Sequence, residues 1–172
     1  MSSPAIVHDT FVIQRQYAAT PQRLFSALAD PETKRAWYAG TTDYAQEHFE
    51  MSFVIGGCER SASAMGDDTP YPGLILSSEG RFEDIVPDHR VVTVSTMAIG
   101  GRRISSALVT YEISPHGSEG SALTMTHQAV FYEGSDGPKM RKGGWELLLD
   151  RLGGSLAGAG PAAGAGAGKI AD

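Results

Sequence analysis

Residues 121–156 read SALTMTHQAVFYEGSDGPKMRKGGWELLLDRLGGSL, and two periodicities meet inside them. In the first eleven positions every second side chain falls on one face: Leu123, Met125, His127 and Ala129. Alternation of this kind predicts a strand over Ser121 to Tyr132 with one buried face. From Pro138 the spacing lengthens. Trp145, Leu148, Leu149, Leu152 and Leu156 fall at i, i+3, i+4, i+7 and i+11, which predicts a helix over about Pro138 to Leu156 with a single apolar stripe. A one-faced strand and a one-striped helix each need a covering surface, so the helix is expected to lie across the sheet.

The strands that complete the sheet read backwards from this segment. Arg102 to Ser114 alternates Ala107, Val109, Tyr111 and Ile113, and the turn at His116–Gly120 separates it from the last strand. Gly100-Gly101 predicts a tight hairpin into a strand over Arg90 to Ile99, because two-residue hairpin turns need positive φ. Pro87-Asp88 precedes it. Gly73 to Val86 forms a strand interrupted around Ser77–Gly80, and the loop at Gly66–Pro70 leads back to a strand over Cys58 to Met65. Gly56-Gly57 predicts another two-residue hairpin. The strand before it, Tyr44 to Ile55, places Phe49, Met51, Phe53 and Ile55 on one face.

Nearer the start, HDTFVIQRQYA over 8–18 alternates, with Phe11, Ile13, Arg15 and Tyr17 together. Thr20-Pro21 and Asp30-Pro31 each put a capping side chain before a proline at the first helical position. They predict one helix over Pro21 to Ala29 and a second over Pro31 to Tyr38, stopped by Gly40. The order is strand, two short helices, about six antiparallel strands and a long helix, an α+β arrangement. Residues 1–7 are read as a leader, 8–156 as one domain, and the Ala/Gly-rich 157–172 as a flexible tail.

The bulk numbers exclude several functions. At 172 residues with 41% hydrophobic residues the chain carries one sizeable core. A net charge of −6 argues against nucleic acid, where phosphate contacts demand a basic face. The one cysteine, Cys58, permits no intrachain disulfide, and no run of 18 apolar residues or signal-peptide pattern is present, which places the chain in the cytoplasm. The five histidines make no HxxxH or HExxH pattern, and GxGxxG, GxxxxGK[ST] and GxSxG are absent. No metal and no cofactor is expected, and no catalytic residue is assigned.

Four ordered segments resemble a known family: the first strand with TPQRLFSALADPETKRAWY, then EGRFEDIVPDHRVV, SALTMTHQAVF and GGWELLLDRLGGSL, together spanning about residues 8–156. The chain is similar to the START/Bet v 1-like (SRPBCC) superfamily, in the branch of the C-terminal domain of the Hsp90 ATPase activator. The resemblance implies a helix-grip fold: a curved antiparallel sheet wrapped around a long C-terminal helix, enclosing an apolar cavity for lipids, sterols or polyketides. Co-chaperone activity does not follow from the family name, because a full activator adds an N-terminal domain.

With that fold, the residues expected to line the cavity are Trp37, Tyr38, Phe49, Met51, Phe53, Met97, Tyr111, Met125, His127, Trp145 and Leu149. Methionine adapts to irregular ligands and aromatic rings supply flat apolar walls. His127 is the one titratable group on the Leu123–Met125 face; it serves either as a core histidine with a protein partner or as a donor to a ligand oxygen. Binding of a small hydrophobic molecule without chemistry is the first expectation. Cyclase/aromatase-like or hydrolytic chemistry in the same cavity, using His127 with Tyr111, is the second, and an Hsp90-type chaperone cofactor the third. An antiparallel edge strand offers a route to a homodimer. Gly143-Gly144 are expected to let the last helix approach the sheet closely, or bend.

Overall fold

A computed structural model describes residues 5–39 and 44–158, with the side chains of 44–47 outside the description. The elements are β1 (Val7–Tyr17), α1 (Pro21–Ala29), α2 (Pro31–Tyr38), β2 (Tyr44–Met51), β3 (Cys58–Met65), β4 (Ile75–Val86), β5 (Arg90–Ile99), β6 (Arg102–His116), β7 (Gly120–Phe131) and α3 (Gly137–Gly158). All strands pair antiparallel in one sheet of order β1-β7-β6-β5-β4-β3-β2. This is the helix-grip architecture. Val7 already belongs to β1, and Ala157 and Gly158 still belong to α3. The rest of the expected tail and the helix stop at Gly40 lie outside the described residues.

The two short helices begin as the side chains at their caps require. Thr20 Oγ1 accepts from the Arg23 amide, and Asp30 accepts from both the amide and the hydroxyl of Thr33 at 2.7 and 2.6 Å. Asp30 also ends α1, its amide donating to the Ser26 carbonyl. One residue thus closes one helix and opens the next, so a continuous helix becomes two segments that can turn across the sheet.

The core fills one face of the sheet, called here the inner face. Phe11, Ile13 and Tyr17 of β1, Val109, Tyr111 and Ile113 of β6, and Leu123 and Met125 of β7 pack against Leu24 and Leu28 of α1, Trp37 of α2, and Leu149, Leu152 and Leu156 of α3. Arg15 shares the parity of this face but sits at its border, its Nε donating to Asp150 of α3 at 3.0 Å.

Three expectations are corrected. The Tyr44–Ile55 strand ends at Met51; residues 52–57 form a loop, Ile55 is exposed, and Gly56 N–H donates to the Phe82 carbonyl while Phe82 N–H donates to Gly57. That exchange with β4 replaces the two-residue hairpin and folds Phe53 back onto Phe25 and Phe82. Strand β4 runs unbroken through Ser77–Gly80, because these small residues are paired on both sides, with β3 and β5; its irregularity lies between Phe82 and Asp84. Finally, a methyl group added at Gly143 or Gly144 would meet nothing within 4 Å, so neither marks a close approach. The glycine that does is Gly153, where the added carbon would lie 3.2 Å from the Tyr17 ring. Tyr17 completes that crossing by donating its hydroxyl to the Leu149 carbonyl at 2.8 Å.

Gly100-Gly101 forms the expected hairpin turn, with φ of 56° and 80°.

Candidate functional site

Direct cross-strand partners share a face, so the register maps the inner face in rows. One row runs Glu59, Gly80, Ser95, Ala107, Ala129 from β3 to β7. Beside it runs Phe82, Thr93, Val109, His127, Phe11. On the other flank lie Ser61, Ser78, Met97, Ser105 and Phe131. The first row is small throughout its middle. Thr93, Ser95 and Met97 stay only half-buried although they point to the same side as the core. Helix α3 packs on β1, and α1 packs on β6 and β7.

Trp145 of α3 is half-buried among aromatic rings. Its ring lies 6.0 Å from Tyr38, 6.2 Å from Tyr111 and 6.4 Å from His127. Tyr38 in turn meets Trp37 at 5.7 Å and Phe49 at 6.3 Å. Nine of the expected residues, Trp37, Tyr38, Met51, Phe53, Tyr111, Met125, Trp145, Leu149 and His127, belong to the core or pack against it. Phe49 joins them through Tyr38. Met97 is placed on the inner face between Ser78 and Ser105. Met125 and Leu149 are wholly buried, and Trp37 is locked by its indole N–H donating to the Ala27 carbonyl at 2.9 Å.

His127 is 2% exposed and its ring stacks on Phe11 with centroids 4.5 Å apart. Its Nδ1 has no hydrogen-bond partner among the described residues. Burial, assisted by the Arg141 charge, depresses its pKa to about 4, so the imidazole is neutral at physiological pH. Arg141 is itself buried, held by Asp136 through two hydrogen bonds and by the Ser105 hydroxyl at 2.9 Å.

A second polar group was not anticipated from sequence. Lys34 of α2 is 3% exposed and forms an ion pair with Glu59 of β3. Its ammonium sits over the rings of Tyr38 and Phe82, 5.3 and 5.6 Å from their centroids. Glu59 is near enough to raise the pKa of both Tyr38 and Tyr111, though burial is the larger cause for each. Both phenols stay protonated. The signal was present in the spacing: Lys34 precedes Trp37 by one helical turn, and Glu59 alternates in phase with buried Met65.

A depression of about 1060 Å³ is lined mostly by residues of the outer face of the sheet, together with Gly80, Ser95, Ala107 and Ala129 of the small row. None of the eleven expected residues lines it. Its walls include Arg60, Glu79, Arg81, Thr96 and Gln128, and it contains no Phe, Tyr or Trp. Arg60 and Arg81 are already ion-paired with Glu50, Glu79 and Glu83. The aromatic and buried ionisable groups converge on the inner face, and the candidate site is placed there. Among the described residues no group of three or more His, Cys, Asp or Glu side chains could hold a metal ion, and no helix is long and apolar enough to cross a membrane.

The model of the family described as activator of Hsp90 ATPase homolog 1-like protein matches residues 18–157. An uncharacterised protein of Rhizobium leguminosarum is 31% identical, with a TM-score of 0.82 over 91% of this chain and 99% of its own. A protein of Rhizobium loti is 36% identical, with a TM-score of 0.77 over 88% of this chain and 99% of its own. A Chromobacterium violaceum protein at 17% identity shares the fold, with a TM-score of 0.68 over 86% of this chain and 97% of its own. None of the curated proteins compared with the chain matches it.

Proposed function

The chain belongs to the family of activator of Hsp90 ATPase homolog 1-like proteins, within the START/Bet v 1-like superfamily, and from that premise we propose that it binds a small hydrophobic molecule, of lipid, polyketide or aromatic type, between the inner face of its sheet and α3. The observation that carries this reading is the small row Gly80, Ser95, Ala107 on the same face of the sheet as the half-buried rings of Tyr38 and Trp145. Small side chains beside aromatic rings, with a few polar groups among them, suit a small apolar ligand. Binding is read as non-catalytic. Native mass spectrometry of gently purified protein, with a thermal-shift screen of lipids, phenols and polyketides, tests it. A co-purified mass or a ligand-dependent rise in melting temperature is the expected result. A protein that carries no extra mass and responds to none of the three classes refutes it.

One observation favours a second reading, chemistry on the bound ligand. His127 and Tyr111 both border Trp145, so a neutral imidazole and a neutral phenol face one space. General acid–base work needs such a pair within hydrogen-bond reach of one ligand atom. If His127→Ala leaves turnover of an identified substrate unchanged, this role for the histidine fails.

A further inference from the structure

The ion pair between Lys34 and Glu59 has no evident place in holding the fold. Buried ion pairs contribute little net stability compared with apolar residues of equal size, because desolvation offsets their attraction. This one joins α2 to β3, and Glu59 begins the inner-face row that continues through Gly80 and Ser95. Two neutral phenols stand beside it, and the Ser78 hydroxyl adjoins Tyr38.

We infer that Lys34, Glu59, Tyr38 and Tyr111 form the polar anchor of the ligand site, and that they select an uncharged aromatic molecule bearing a hydroxyl or carbonyl group over a carboxylate such as a fatty acid. The inference deepens the binding reading above and rests on it. Three features converge on that ligand class. First, the two buried cations among the described residues are both neutralised, Lys34 by Glu59 and Arg141 by Asp136. An entering anion would be desolvated with no free counter-charge and would face the Glu59 carboxylate. Second, a phenol is at once a donor and an acceptor, so Tyr38 and Tyr111 can satisfy either a hydroxyl or a carbonyl oxygen. Third, Trp145 and Tyr38 stand side by side, partly exposed, with ring centroids 6.0 Å apart, and such rings suit a planar ring system better than a flexible chain.

The probes are N-phenylnaphthylamine, a neutral fluorophore without a hydroxyl group, and β-naphthol and β-naphthoate as competitors at neutral pH. The fluorophore reports the apolar space itself. Naphthol and naphthoate share one ring system and differ in charge. In the unaltered protein naphthol is expected to displace the fluorophore at least about tenfold more effectively than naphthoate. In Tyr111→Phe the fluorophore's affinity is expected to hold, while naphthol weakens by about fivefold, the value of one neutral hydrogen bond. Tyr38→Phe gives the same contrast should Tyr111→Phe fold poorly. If the fluorophore does not bind, the hydrophobic-ligand reading falls and this inference with it. If it binds and naphthoate competes as well as naphthol, the anchor is refuted while the binding reading stands. A Tyr111→Phe variant that changes both affinities equally, or neither, also refutes the anchor.

Discussion

Replacing His127 by phenylalanine tests the environment of the inner face through pH. The imidazole is 2% exposed, and its pKa falls from 6.5 to about 4 through desolvation first and the Arg141 charge second, with Asp136 opposing. In the unfolded chain the same group titrates near its ordinary value. Between these two values the unfolded state holds a proton that the folded state does not, so acidification favours unfolding. The penalty is absent above about pH 7, grows as pH falls through 6.5, and saturates below about 4. Linkage gives a loss of about 2 kcal/mol at pH 5 and about 3 kcal/mol at pH 4, relative to pH 7. Phenylalanine keeps the stack on Phe11 and carries no titrating group. The assay is urea denaturation of both proteins at pH 7, 6, 5 and 4, taking the difference in unfolding free energy so that the acid response of the carboxylates cancels. The variant is expected to gain on the parent by these amounts as pH falls. A difference independent of pH would refute the reasoning, and would mean that His127 is solvated or acquires a partner in solution.

Two further expectations concern stability. Lys34→Met leaves Glu59 unpaired beside the Tyr38 and Phe82 rings and should cost about 3 kcal/mol, whereas Lys34→Met with Glu59→Leu should recover most of that loss; chemical denaturation of the two variants decides it, and a double variant no better than the single overturns the burial argument. Gly144→Ala should stabilise the protein by about 1 kcal/mol, because the added methyl meets nothing and the helix gains a better former. Gly153→Ala should lose that benefit against Tyr17, and equal melting temperatures for the two variants would show that the α3–β1 crossing can give way.

Periodicity made most of the architecture legible. The strands β1, β6 and β7 follow from alternation and α3 from its apolar stripe, since a period of 2 or 3.6 needs no knowledge of the partner surface, while β3 and β5 follow from the turns that flank them. Asp30-Pro31 specified its helix boundary through cap chemistry alone. The failures lie where a partner decides. Strand β2 stops at Met51 because Gly56 and Gly57 exchange hydrogen bonds with Phe82, some 25 residues later in the chain. Gly143-Gly144 look in sequence like a contact surface, and only the placement of α3 shows that they face open space.

The aromatic wall was readable in the same way, because Trp37, Tyr111 and Trp145 sit in phase with apolar neighbours. The charged part of the site was not. Lys34 and Glu59 are ordinary surface residue types on separate elements, and nothing local joins a two-turn helix to a strand beyond the next loop. Their meeting depends on how α2 lies against the β2–β3 end of the sheet, and their burial depends on Tyr38 and Phe82 lying beside them. The chain's own pattern thus determined the elements, the buried faces and the family. Tertiary packing decided which buried charges meet and which polar atoms stay without partners among the described residues, because those depend on distances between segments that no periodicity encodes.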